Sequence, residues 1–371
     1  MPSDARPPER FRFFVFTCRD PKSDFRLPLV DALRHHYETY YIWLRRRPIV
    51  SGPTASDAAV EMSLAGLLRF IRGLRQDDKV NVYFNSTNTY FLGLSAVLRL
   101  IATAGVWCLD MHDDLRYHNK GFKRWRESVI ISLLRRLSHV TVHAAPTLQE
   151  LFPDSQHLGN ASNILPLVRS ENPNPGVLII ASFDERFDFD FLSALARACP
   201  EITFHMHGWT RPDDTATQVQ ITAIDARHAN ICYHGPYTMG DLPGILQTYR
   251  VTVAPYRTDG LLTRYIDPLR FYHCLNAGLE VVSTDIPQAR HMQDWVHVVA
   301  DVTACVDTLA AVRSGALAKQ AGYSPITWEQ RADRLVEIVR TLPRTVSLFR
   351  RRKGRRSGAH RSGPHCSDKA V

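Results

Sequence analysis

The run Leu109-Asp-Met-His-Asp-Asp-Leu115 sets Asp110, His112, Asp113 and Asp114 directly behind an apolar, strand-like segment. Three carboxylates and an imidazole at a strand end are suited to take a proton from a hydroxyl held within hydrogen-bond reach. A second cluster lies far along the chain, where Val251-Thr-Val-Ala-Pro-Tyr256 is followed by Asp267-Pro-Leu-Arg270 and a stop at Gly278. Asp267 stands where an N-cap belongs, Pro268 fits the first helical position, and Gly278 supplies a left-handed end. A helix framed in this way opens with free N–H groups at the carboxyl end of a strand. Arg270 beside them is disfavoured by the helix dipole by roughly 0.3–1 kcal/mol, which predicts an anionic ligand such as a diphosphate. The plainer alternatives are a surface arginine on a crossover helix and, for Asp113 or Asp114, a turn cap.

These residues need elements to carry them. Phe11–Thr17 is a β-prone run, followed by an expected helix over 28–36 and strand over 40–44, the βαβ rhythm of a parallel sheet. Helices over 58–74, 90–101 and 121–137 then alternate with strands over 80–84, 105–109 and 140–143. The stretch 166–176, with Glu171-Asn-Pro-Asn-Pro175, reads as a linker. Beyond it, strands are expected at 177–181, 202–207, 231–233, 251–255, 280–285 and 296–299. Helices are expected over 190–198, 242–247, 268–278, 286–292, 301–314 and 328–340. One architecture that starts twice implies two doubly wound α/β domains facing a cleft.

Composition narrows the function classes. A chain of 371 residues exceeds the usual reach of one core, and 44% hydrophobic residues mark it as globular. Most of the +9 net charge sits in Arg350–Lys369, so any polyanion contact is confined to a tail. The loop Cys18–Asp24 after the first strand lacks glycine, and neither a dinucleotide fingerprint nor a Walker A motif occurs. H-E-x-x-H and G-x-S-x-G are absent too, which counts against zinc and serine hydrolases. Seven scattered cysteines without a C-x-x-C read as buried thiols of a reduced compartment. The first ten residues carry no apolar signal core, and Arg99 and Gly105 interrupt the most apolar window, so a cytoplasmic protein is expected.

Several segments occur in a telling order: Asp113-Asp114, Ala145-Pro-Thr-Leu-Gln-Glu150, Leu158-Gly-Asn-Ala161, Asp184-Glu-Arg-Phe-Asp188, His207-Gly-Trp209, Ala254-Pro-Tyr256, Asp267-Pro-Leu-Arg-Phe-Tyr272, Ala277-Gly278 and Val281-Val-Ser-Thr284. Over roughly 105–290 this series resembles bacterial glycosyltransferases of the GT-B fold, in the group around exopolysaccharide glucuronosyltransferases and teichuronic-acid transferases. The resemblance implies two Rossmann-like domains: 11–165 on the acceptor side and 177–325 binding a nucleotide-diphosphate sugar. The linker 166–176 joins them, a helix in 326–345 returns toward the first domain, and 1–10 and 346–371 are a flexible start and a disordered basic tail.

The same resemblance implies the roles of individual residues. Arg270 meets the donor diphosphate, Tyr256 ends the strand whose loop lines the donor pocket, and Gly208 stands at a turn beside the nucleotide, which is expected to be UDP or GDP. His273 replaces a Glu that holds the ribose hydroxyls; a neutral imidazole cannot accept from both. Tyr265 replaces the first Glu of an E-x₇-E pair, which favours inversion over retention. Asp113 is the implied general base, with Asp110 and His112 behind it. Arg26 is placed at the cleft against acceptor phosphate or donor carboxylate. No metal or other cofactor is implied, because helix N–H groups and a cation serve the diphosphate. The acceptor would be a glycan or lipid-linked sugar in cell-surface polysaccharide synthesis. Helix 121–137 joins an apolar stripe, which core packing explains, to dense positive charge suited to the inner face of an anionic membrane. A nucleotide-sugar epimerase of the same architecture and a non-catalytic sugar-nucleotide-binding protein are the alternatives.

Overall fold

The computed structural model describes residues 10–21, 24, 26–74, 77–86, 105–112, 121–168, 170, 174–320 and 322–342. Asp113, Asp114, the expected helix over 90–101 and the basic tail lie outside the described residues.

Two sheets organise the chain. The first comprises β1 (Phe11–Thr17), β2 (Glu38–Trp43), β3 (Ile49–Ser51), β4 (Val60–Glu61), β5 (Val80–Ser86), β6 (Val106–Met111), β7 (Val140–His143) and β8 (Gln156–His157). Its spatial order is β4-β3-β2-β1-β5-β6-β7-β8, parallel except for the antiparallel edge made by β3 and β4. The second comprises β9 (Val177–Ser182), β10 (Phe204–Trp209), β11 (Ile231–Tyr233), β12 (Val251–Ala254), β13 (Glu280–Thr284) and β14 (Val296–Val299). It is parallel throughout in the order β11-β10-β9-β12-β13-β14. Both orders reverse direction beside the first strand of their sheet, at β1/β5 and at β9/β12, the doubly wound pattern that opens a crevice at the strands' carboxyl ends.

Alternation along the central strands builds a core on each face. Phe11, Phe13 and Val15 of β1 pack on one side with helix Leu27–Arg34, and Phe14 and Phe16 on the other with helix Leu64–Gly73. Val177, Ile179 and Ala181 of β9 likewise face away from Leu178 and Ile180. Such strands are covered on both sides, so they read as continuous apolar runs. Cys108, Cys199, Cys274 and Cys305 are buried thiols.

Helix Trp328–Arg340 starts at a capping box made by Thr327 and Gln330. It follows the second domain in sequence yet packs on the first, with Trp328, Leu335 and Val339 in the same core as Leu29 and Leu33. Arg331 in its first turns donates from Nε to the Asn160 carbonyl at 3.0 Å.

Some elements depart from expectation. The helix expected over 58–74 is shorter, Leu64–Gly73, because Val60–Glu61 pairs as the edge strand β4 and Ser63 caps the helix through Gly66 N. Helix Thr215–Arg227 was not expected. Its Thr and Gln content and exposed Val219 blur the periodicity, and only Thr217, Ile221 and Ile224 are buried. Core packing does not explain the stripe Phe122, Trp125, Val129 and Leu133, which faces outward, while Glu127, Ile131 and Leu134 on the other side are buried.

Candidate functional site

The strongest local arrangement sits where the second sheet reverses, at the ends of β9 and β12. Phe187 and Tyr256 form an isolated antiparallel bridge there, Asp188 N donates to Pro255 O at 2.9 Å, and Arg257 N donates to Arg186 O at 2.9 Å. The two loops are thereby tied into one rim. Tyr256 N is held by Thr284 Oγ1 at 2.8 Å, which anchors that rim to β13. The Tyr256 ring is buried, and the Arg270 guanidinium lies over it at 4.6 Å from the centroid.

Arg270 is the second residue of helix Leu269–Asn276. Its Nη1 is shielded from solvent and has no hydrogen-bond partner among the described residues. A buried guanidinium N–H left unpaired is costly, so a position like this fits a site that an anion completes. Arg186 stands beside it, its Nε donating to both Asp184 oxygens at 3.0 and 3.1 Å. Burial alone would raise the Asp184 carboxyl; Arg186, and at longer range Arg270, pull it below its ordinary value. Two cations and one carboxylate thus share the switch point. Sequence reasoning assigned no role to Asp184 or Arg186, although the Asp184-Glu-Arg-Phe-Asp188 segment was visible.

Gly208 lies within β10 rather than at a turn, which corrects the expectation for it. A Cβ there would meet Ala181 O at 1.9 Å, so the end of β10 approaches β9 this closely only with glycine. The next residue, Trp209, is exposed, and Tyr237 meets its ring edge-on at 5.2 Å. The exposed Trp209 ring, backed by partly buried Tyr237, is suited to stacking on a flat heterocycle.

Two other expectations are corrected, those for Asp267 and His273. Asp267 does not cap the helix, whose N-cap is Pro268 with no side-chain bond. The Asp267 carboxylate turns inward instead and accepts from Asn160 N at 2.7 Å, Tyr272 OH at 2.8 Å and Gln288 Nε2 at 2.7 Å. His273 is enclosed as well, its Nδ1 at 2.7 Å from Ser162 Oγ, so it is not offered to a ribose. Tyr265 packs into the core of the first domain. Together with Asn276, whose Nδ2 donates to Ile164 O and Ile326 O at 3.1 Å each, these residues join the two domains. Gly278 behaves as expected, with φ +84 directly after the helix.

Buried titratable groups at the joint and in β7 make stability depend on pH. Burial pushes both His273 and His143 down to about 4. The unfolded chain takes up protons between pH ~6.5 and ~4 that these folded imidazoles refuse, so their contribution is full above that window and is lost through it. Enclosed His273 accounts for up to ~3 kcal/mol and less enclosed His143 for ~1–2 kcal/mol. Burial raises Asp267 to about 6, although Asn160 N–H and Tyr272 oppose it. That raised carboxyl acts in the opposite sense, its unfavourable charge being relieved as pH falls, and offsets ~3 kcal/mol. We expect stability to fall less between pH 7 and pH 4 in His273→Gln than in the wild-type chain, read by urea unfolding. Identical pH slopes in the two proteins would exclude His273 from this role.

In the first domain, Arg26 precedes helix Leu27–Arg34 and reaches the end of β6. Its Nε donates to Asp110 Oδ2 at 2.8 Å and its Nη2 to Oδ1 at 2.7 Å, with side-chain exposures of 1% and 0%. The guanidinium also lies 5.7 Å from the Trp328 ring centroid, beneath the returning helix. Arg26 is therefore held inside rather than presented to a ligand, a correction to its expected place. Both Asp110 oxygens accept from Arg26. His112 is buried immediately beyond β6. The pair fixes the end of β6, where Ser86 of β5 is in register with Asp110.

Among the described residues, no group of three or more His, Cys, Asp or Glu is arranged to hold a metal ion. No described helix is long and apolar enough to cross a membrane.

Comparison with known proteins places the fold. No protein-family profile matches the chain. Sucrose-phosphate synthase from Thermosynechococcus elongatus superposes with a TM-score of 0.66 at 12% identity, over 89% of this chain and 98% of that one. Anabaena Alr3699/HepE in complex with UDP and glucose gives 0.62 at 12% identity, over 90% and 100%. The lipopolysaccharide outer core galactosyltransferase WaaB gives 0.54 at 10% identity, over 88% and 99%. The two Rossmann-like domains and their cleft have the GT-B architecture. A curated relative, "Putative teichuronic acid biosynthesis glycosyltransferase TuaH" of Bacillus subtilis (strain 168), is 26% identical over 133 residues, 36% of this chain. The match spans about a third, 32%, of that relative's length.

Proposed function

We propose that the protein is a glycosyltransferase that moves a sugar from a nucleotide-diphosphate donor to a hydroxyl of a glycan or lipid-linked acceptor, with inversion at the anomeric carbon. One observation carries this reading: Arg270 stacked on Tyr256 at the switch point of the second sheet, its Nη1 unpaired, with Arg186 alongside. In this reading the diphosphate meets Arg270 and the first N–H groups of helix Leu269–Asn276. Arg186 exchanges part of its bond to Asp184 for a donor oxygen, and the base lies toward Trp209 and Tyr237. That HepE holds UDP and glucose on a similar fold supports a uridine nucleotide as the first donor to test. The TuaH match supports a cell-surface polysaccharide as the setting. No divalent ion is required by this arrangement, since two guanidinium groups and a helix N-terminus neutralise the leaving group.

Calorimetric titration with UDP tests the donor site. Arg270→Ala should weaken binding by ~1.5–3 kcal/mol, the worth of a lost charge-assisted bond. An unchanged dissociation constant would remove Arg270 from the site. Product formation requiring both donor and acceptor separates a transferase from an epimerase, which converts donor alone.

A further inference from the structure

Helix Gly121–Leu137 carries two apolar faces. Glu127, Ile131 and Leu134 are buried against the first domain. Phe122, Trp125, Val129 and Leu133 recur at three- and four-residue spacing on the opposite side and face solvent, Phe122 at 72% exposure and Trp125 at 60%. The Phe122 and Trp125 rings stack at 5.4 Å, so the aromatic end of the helix is one continuous apolar cluster. A contiguous apolar stripe kept in water is unfavourable unless something covers it.

The charge around the stripe identifies what covers it. Lys123, Arg124, Arg126, Arg135 and Arg136 stand on this helix against Glu127 alone, and Glu127 is buried beside Arg126 at 3.4 Å. A second copy of the chain would set two such basic helices against each other. An anionic lipid surface complements both features, taking aromatic rings at the headgroup level and cations at the phosphates. The helix runs back along the sheet from the end of β6, so its aromatic end lies at the same end of the domain as Asp110.

We propose that the Phe122–Leu133 stripe is an interfacial anchor that docks the first domain on an anionic bilayer, with the aromatic end of the helix toward the cleft. The inference does not depend on the donor-site reading. A lipid-linked acceptor would reach the cleft from this side.

Sedimentation of the full chain with vesicles of mixed phosphatidylglycerol and phosphatidylcholine tests it. Binding should be strong on the mixed vesicles, weak on pure phosphatidylcholine, and reduced as salt rises past about 0.1 M, where the screening length falls to ~10 Å. The double variant Phe122→Ser/Trp125→Ser should lose about tenfold or more of this binding. Circular dichroism and UDP titration should be unchanged in that variant, showing that the fold and the second-domain site are intact. Vesicle binding equal to wild type in the double variant would overturn the proposal. So would a lipid-free dimer of the wild-type chain that the variant abolishes, which would make the stripe a contact between copies.

Discussion

Asp113→Asn should lower turnover by ~10²–10⁴ while leaving UDP binding intact, because it keeps the side chain's size and polarity and removes the proton acceptor. Asp113 lies three residues beyond Asp110, which the Arg26 pair holds at the end of β6. Inverting transfer needs a base on the face of the sugar opposite the departing diphosphate. In the proposed reading the diphosphate is on the second domain, so a base from the first domain satisfies that requirement. NMR of the product reports whether the anomeric configuration changes. Retention would overturn the inverting mechanism. Near-normal turnover by the variant would exclude Asp113 as the base while leaving the transferase reading in place, and His112 would then be the next residue to test.

Arg26→Ala should destabilise the first domain by ~3–5 kcal/mol, the usual consequence of leaving a buried carboxylate without its partner. Both side chains of the Arg26–Asp110 pair are enclosed, and the guanidinium lies against Trp328 of the returning helix. Arg26→Lys should recover little, since an ammonium cannot reproduce the two parallel bonds to Asp110. Replacing both members together, Arg26→Met with Asp110→Leu, should recover much of the stability, because no buried charge is then left alone. Urea unfolding followed by tryptophan fluorescence reads the series. A loss of under ~1 kcal/mol in Arg26→Ala would mean that water reaches Asp110 and the pair is not sealed. Turnover in Arg26→Lys adds a second readout: a fall with an intact nucleotide dissociation constant would show that the pair acts on the chemical step and not on donor binding.

Much of the architecture was legible in the sequence because it rests on local periodicity. The apolar runs Phe11–Thr17, Val177–Ser182 and Val251–Ala254 are covered on both faces, and continuous burial leaves a continuous apolar signature. Helices 121–137 and 328–340 and the left-handed stop at Gly278 were readable for the same reason, since spacing and backbone chemistry act over a few residues. Arg270 was legible through its position two residues beyond Pro268 at a helix start.

Tertiary structure decided where charged side chains point. Asp267 has the sequence signature of a cap, yet Asn160, 107 residues away in the chain, donates its N–H to that carboxylate. Arg26 and Asp110 are 84 residues apart and each looks available on its own; only folding makes them partners and withdraws both from the solvent. His273 meets Ser162, 111 residues distant, for the same reason. In the opposite direction, Phe122 and Trp125 have the spacing of core residues, and folding leaves them outside. Periodicity determines that a stripe exists and which residues share it. Which stripe is covered, and which charge finds a partner, depends on the packing of elements remote in sequence.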